Sequence, residues 1–347
     1  MKKKKFLLLI LLTTTLFYSC ETNTEDLTTD PILDPQEDPV LNSNFSFEEV
    51  YAFEDNLLGG PHIGMTNPAS ENSLFISSRE NTPSGTTSEE EVFKLNLDTK
   101  QLDRKNTSPG GYITKQLKII DDQLVSIGGT ELKIYDLNLQ NEPSSIAYQN
   151  NFNLSKYGVA SDDANTYIIG GYRVDTSTQE NTKIHKLNIN SVDLFEEIIE
   201  TPETMVGASG AISNNKLYVF GGATYDNITE GTNKIFIYPL DNSQNYEELS
   251  MSVSADITYV HKYGEVILIA GHKGLYVGEK TSFIGIFDTN TNTFEEIETN
   301  LDSERGTKAI HQMIVKDDKI IVLFGHKAGS GLPQSKWSIL SANLLDD

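Results

Sequence analysis

From about residue 45 onward the chain alternates short apolar runs with polar punctuation. The runs are rich in Val, Ile, Leu, Phe and Tyr, and Asn, Asp, Ser or Gly bounds them. β-Branched and aromatic enrichment over such short lengths predicts strands, and no stretch sustains the 3.6-residue spacing of an amphipathic helix. The clearest unit lies between Met205 and Met251. Gly207–Ile212 opens it, and a polar turn at Ser213–Lys216 leads into Leu217-Tyr-Val-Phe-Gly-Gly222. A long polar loop then precedes Lys234–Asp241 and finally Tyr246–Leu249. Short strands joined in this way predict a four-stranded antiparallel sheet, the repeating unit of a β-propeller.

The unit recurs. Strand-ending motifs stand at Val125–Gly129, Tyr167–Gly171, Leu217–Gly222, Leu268–Gly271 and Val322–Gly325, while Leu74–Ser78 keeps the strand and replaces both glycines. The first glycines fall at 128, 170, 221, 271 and 325, so the steps are 42, 51, 50 and 54 residues; position 77 precedes 128 by 51. Third strands align too, at Val92–Leu97, Leu132–Leu137, Ile184–Ile189, Ile235–Leu240, Ile284–Asp288 and Trp337–Leu340. In the diglycine, the aromatic of the strand after it and the aromatic opening the last strand, the chain resembles the kelch-repeat family, whose period is about 50 residues. Phe195, Tyr246 and Phe294 stand where that family usually has Trp. The resemblance implies an all-β fold over residues 45–347, a six-bladed kelch-type β-propeller with four antiparallel strands per blade.

The ends of the repeat array carry their own signal. An aromatic-Glu-Glu-aliphatic motif marks the last strand at 195–198, 246–249 and 294–297, and it returns at Phe47–Val50, ahead of the first unit. The final unit stops after its third strand near Leu345. Phe47–Val50 is therefore expected to supply the missing outer strand of the last blade, tying the termini together and removing an open edge. The glutamate pairs read as charges that deter edge-to-edge association, not as catalytic carboxylates.

Ahead of the repeats, Lys2–Lys5 and the apolar Phe6–Leu12 form a signal peptide over residues 1–19, too short to span a bilayer. Phe17-Tyr18-Ser19-Cys20 resembles a loose lipobox of Bacteroidota type, which implies acylation of Cys20; ordinary secretion with Cys20 removed is the alternative. Residues 20–44, with Asp-Pro at 30–31, 34–35 and 38–39, read as an acidic, semi-stiff tether. Acids soon after the Cys resemble surface-export signals, so an outer-membrane lipoprotein is expected, on the surface in preference to the periplasmic face.

Charge and cysteine count then remove several functions. The chain carries 27 Lys plus Arg against 50 Asp plus Glu, and loss of Lys2–Lys5 with the leader takes the net charge from −23 to −27. Such an excess repels nucleic acid and anionic lipid, leaving membrane contact to the lipid on Cys20. A single Cys forms no internal disulfide and no Cys-based metal site. Asp288–Thr293 superficially resembles a calcium loop but lacks its central Gly and closing Glu. No cofactor is expected, and the protein is expected to be a monomer.

Candidate site residues come from position within the repeat. His272 and His326 each replace the second glycine of the diglycine, and Arg79 and Arg173 stand at or near the corresponding place in two other units. In kelch proteins this strand end lies toward a central funnel, which implies that the four converge there. His62, Tyr259 and Arg305 lie near the starts of inner strands on the same face. A few cations in an anionic protein could orient an acidic or polyhydroxylated ligand; the plainer reading has them bonding loop carbonyls. The second-to-third-strand loops, roughly 79–90, 172–182, 223–233, 272–282 and 326–335, are long and unlike one another, while Thr130 and Glu131 bridge directly.

Three functions fit. The first is a cell-envelope module binding a glycan or protein partner at the loop face. The second is a sugar-active enzyme, since the chain also resembles six-bladed kelch proteins that interconvert sialic acid anomers; Arg79, Arg173 or Arg305 could hold the carboxylate. The third is a structural envelope component. Copper radical chemistry of the galactose oxidase type needs a Cys–Tyr crosslink, which this chain cannot make, and no nucleophile motif is present.

Overall fold

A computed structural model describes residues 41–345 apart from 59–62, 80–89, 108–115, 129, 149–153, 163, 174–178, 192, 225, 227–229, 242, 244, 274–280, 302–307 and 327–333. Among the described residues every regular element is a strand. The chain enters through β1 (Asn44–Phe45) and β2 (Glu48–Ala52). A first sheet follows in the order β3 (Gly64–Thr66), β4 (Ser73–Arg79), β5 (Glu90–Asn96) and β6 (Leu102–Thr107). The next holds β7 (Gln116–Ile120), β8 (Gln123–Ile127), β9 (Glu131–Tyr135) and β10 (Ser144–Ala147).

After these come β11 (Leu154–Ser155), β12 (Gly158–Ser161), β13 (Thr166–Ile169), β14 (Tyr172–Arg173), β15 (Gln179–Glu180), β16 (Lys183–Leu187) and β17 (Phe195–Glu200). They form the sheet β12-β13-β16-β17 and a small one, β11-β14-β15, which occupies the expected loop at 172–182. One continuous sheet is built from β18 (Ser209–Ser213), β19 (Lys216–Phe220), β20 (Thr232–Pro239), β21 (Glu247–Tyr263), β22 (Val266–Lys273), β23 (Thr281–Asp288) and β24 (Thr293–Thr299), with β1 added beyond β24. The last sheet is β25 (Ala309–Lys316), β26 (Lys319–His326) and β27 (Lys336–Asn343), flanked by β2.

The long β21 explains the continuous sheet. Its first half pairs with β20, and its second half, from Ala255 to Tyr263, pairs with β22. One strand thus closes one four-stranded unit and opens the next. Apolar clusters then join each unit to its neighbour. Phe75 and Val92 meet Leu117 and Tyr135, Val125 and Ile127 meet Tyr157 and Ile168, and Ile169 meets Leu217 and Phe236. Phe220 meets Ile269 and Phe287, Leu268 meets Met313 and Val322, and Leu323 and Trp337 meet Leu74 and Phe93, back at the first sheet. The fold is all-β, a propeller-like arrangement of small sheets. Burial of each such large side chain contributes about 1.5–3 kcal/mol, so the inter-sheet clusters hold the molecule together.

The diglycine decides where a strand stops. Gly170 and Gly171 have φ of 53° and 81°, Gly221 and Gly222 have 59° and 90°, and β13 and β19 end immediately before them. Left-handed backbone of this kind suits Gly and breaks the ladder. Where His replaces the second Gly, the strand runs on: β22 reaches Lys273 and β26 reaches His326. The expected loops starting at 272 and 326 therefore begin later.

The predicted terminal pairing is present. Glu48 to Ala52 runs antiparallel to β27, from Ser341 to Ser338. The strap extends further than the sequence implies: β1 lies parallel to the end of β24, Leu41 bridges Leu345, and Asn42 bonds the carbonyls of Asn343 and Leu345 at 3.1 and 2.8 Å. Residues 41–44, assigned to the tether, thus belong to the pairing. The glutamates of the outer-strand motif are exposed, and Glu197 and Glu296 pair across strands with Lys183 and Lys273. Asp288 accepts the backbone N–H groups of Asn290 and Thr291, an Asx turn between β23 and β24.

Candidate functional site

Most of the expected funnel residues fall outside what the structure describes. Cys20, His62 and Arg305 lie outside the described residues, as do the side chains of Arg79 and Arg173, whose backbones end β4 and β14 in different sheets. His272 does not open on solvent. It is 5% exposed, its Nε2 meets the carbonyl oxygen of Ile310, and its ring lies edge-on to Tyr259 and His311 at 6.2 and 5.7 Å. His311 in turn packs on Trp337 at 4.6 Å, and the Trp337 indole donates to the Leu58 carbonyl at 2.9 Å. This row of rings locks β22 to the last sheet, the role of a residue bonding a carbonyl. His326 is half-buried at the end of β26, with a buried Nδ1 that has no hydrogen-bond partner among the described residues. Among the candidates whose side chains are described, Tyr259 and His272 are in contact.

A different pair emerges from the inner strands. β3 neighbours β7, β12 neighbours β18, β18 neighbours β21, β21 neighbours β25, and β25 returns to β3. The cluster of Val125, Tyr157 and Val159 joins the β7 sheet to the β12 sheet. β7 and the second half of β21 are therefore separated by two inner strands in either direction. On β7, Lys118 pairs with Val125, two residues before the final pair Ile120–Gln123. On β21, His261 pairs with Leu268, two residues before the final pair Tyr263–Val266. The two occupy the same register position, hence the same depth.

At that position three other hairpins carry apolar residues. Ala211, opposite Tyr218, and Ile314, opposite Ile321, both stand two residues before the end of their hairpins, and Ala160 opposes Tyr167. All three are buried in inter-sheet clusters. A lysine and a histidine at such places must send their polar ends past the core.

The electrostatics agree. Burial pushes the Lys118 ammonium down from 10.5 to about 8. Burial pushes the His261 imidazole down from 6.5 to about 4, and the charge on Lys118 adds to the fall. Both side chains nevertheless keep part of their surface accessible. Among the described residues, neither has a hydrogen-bond or ion-pair partner. At neutral pH the arrangement sets a proton donor, the Lys118 ammonium, near a proton acceptor, the neutral His261 ring.

Tyr259 and Tyr263 flank His261 on the same face of β21. Burial raises the Tyr259 hydroxyl well above its usual range. Tyr263 donates to Asp318 at 2.5 Å, and that bond pushes it up to about 12. Sequence reasoning passed over Lys118 and His261 because neither sits in a motif. The available signal was a lone Lys inside Gln116-Leu-Lys-Ile-Ile120 and a His inside Ile257-Thr-Tyr-Val-His261, each aligned with Ala or Ile in other repeats.

Comparison with protein-family models and with curated proteins yields no match to this chain.

Proposed function

We propose that the chain is a cell-envelope lipoprotein, anchored through Cys20 at the outer membrane and displayed on the surface, whose six-bladed kelch-type propeller binds a glycan or a protein partner through its loop face. The observation carrying this reading is the contrast between framework and connections. Sheet registers repeat from unit to unit, while the second-to-third-strand connection ranges from the tight Gly128–Glu131 turn to the β11-β14-β15 ribbon. Repeat proteins diversify binding at such connections. The double role of β21 supports counting two blades in the continuous sheet, and the β2–β27 pairing supports a closed ring.

The test is a glycan-array screen of the protein beside an Arg79→Ala/Arg173→Ala variant. His272 is left intact because it holds the sheets together. Acidic glycans retained by the wild type and lost by the variant support the reading; silence from a folded wild type sinks the glycan half and leaves protein capture as its remaining form. Fatty-acid labelling that persists in Cys20→Ala would overturn the anchor.

A further inference from the structure

We propose that Lys118 and His261 form an anion-binding site inside the ring of inner strands, taking the carboxylate or phosphate group of a small ligand between them. The inference goes beyond the loop-face reading and does not depend on it.

Four observations converge. Register sets both residues at one depth, on strands separated by two others each way round. The charge on Lys118 acts on His261 across that separation. Neither has a partner among the described residues. Finally, among the described residues no carboxylate compensates them. Asp256 acts on Tyr259, Asp318 is held by Tyr263, Lys316 sits beside Asp317 at 3.6 Å, and His311 packs on Trp337. Lys262, next in sequence to His261, is exposed on the opposite face.

Two nitrogen groups without an acceptor are a costly arrangement for a fold and a suitable one for an oxyanion, which accepts from both. One strand step away, Gln116 and Tyr259 occupy matching register positions, opposite Ile127 and Ala270. Their amide and hydroxyl suit the neutral, hydroxylated part of the same ligand. The ligand class is thus a small polar molecule with one acidic group. Its binding places a negative charge beside His261 and draws a proton onto the ring, so affinity rises as pH falls.

The experiment is calorimetric titration of the protein with two probes, inorganic phosphate and glucuronate, at pH 6 and pH 9 in buffers of different ionisation enthalpy. The expected result is binding of at least one probe at pH 6 with proton uptake, weakened at least tenfold at pH 9. Whichever probe binds names the acidic group. Lys118→Met and Lys118→Gln are expected to lose at least tenfold in affinity, His261→Phe to lose the proton uptake, and Lys262→Met to change neither. Cooperative unfolding of each variant checks that it folds. Failure of both probes at pH 6, or unchanged binding in folded Lys118→Met, overturns the site. Loss in the Arg79→Ala/Arg173→Ala variant with Lys118 intact also overturns it, returning the anion to the loop face.

Discussion

Lys118 and His261 stand at the same register position of inner hairpins from different sheets, and charge on the first makes the second harder to protonate. Other hairpins bury Ala160, Ala211 or Ile314 there. A fold that needed only stability would have placed an apolar residue at all of these positions.

Replacing Lys118 by Met should therefore stabilise the protein. The lysine binds its proton less tightly in the folded chain, at about 8 against 10.5. Below pH 8 its cost is fully present, and stability returns as pH rises from 8 to 10.5. Lys118→Met is expected to gain about 2 kcal/mol at pH 7, the depressed affinity discounted for partial exposure. Urea unfolding of wild type and variant at pH 7 and pH 10.5 checks this: the gap should narrow at the higher pH.

The His261 ring, followed by NMR, should titrate near pH 4. Its folded-state value lies below the unfolded one, so it removes stability as pH falls from 6.5 to 4. In Lys118→Met its titration should move upward, because one of the two causes of its depression is gone. A His261 curve unaltered by that substitution would show the two groups to be uncoupled.

The terminal strap should be held by side chains as well as by strand pairing. Asn300 Oδ1 accepts the Phe47 N–H at 2.8 Å, and Asn300 Nδ2 donates to the Phe47 carbonyl at 3.1 Å. Asn300→Ala is expected to cost about 1–2 kcal/mol, read as a lower thermal midpoint. Amide exchange should rise first in β1 and β2 and then at their partners on β24 and β27.

His272→Ala should destabilise by about 2–3 kcal/mol, since it opens a cavity between Tyr259 and His311 and removes the partner of the Ile310 carbonyl. Denaturant unfolding measures it. A loss that small, without loss of probe binding, would separate this histidine from ligand recognition.

Gly222→Ala should cost about 2 kcal/mol or more. Its φ is 90°, and a Cβ there would lie 2.9 Å from the Ala208 Cβ and 3.0 Å from the Ala208 N. The matching change at Gly264, whose added Cβ meets nothing within 4 Å, isolates the backbone part of the penalty in the same unfolding assay.

What the sequence determined by itself is local in origin. Short β-branched and aromatic runs with Asn, Asp and Gly between them make strands. Diglycines at 170–171 and 221–222 end them, and the Phe47-Glu-Glu-Val50 copy announces that β2 completes the last sheet. Each of these follows from side-chain size, backbone freedom and period-2 alternation, which are written in consecutive residues. The tertiary structure decided what no local pattern holds. The backbone hydrogen-bond ladder continues through His272 and buries it against Ile310, because His, unlike a second Gly, does not turn the chain. The strap reaches back to Leu41 because β24 and the end of β27 both present partners to it. Lys118, distant along the chain, acts on His261 because stacking the sheets side by side brings their inner strands to the same depth, and alternation alone specifies a side chain's face but not which remote strand it will oppose.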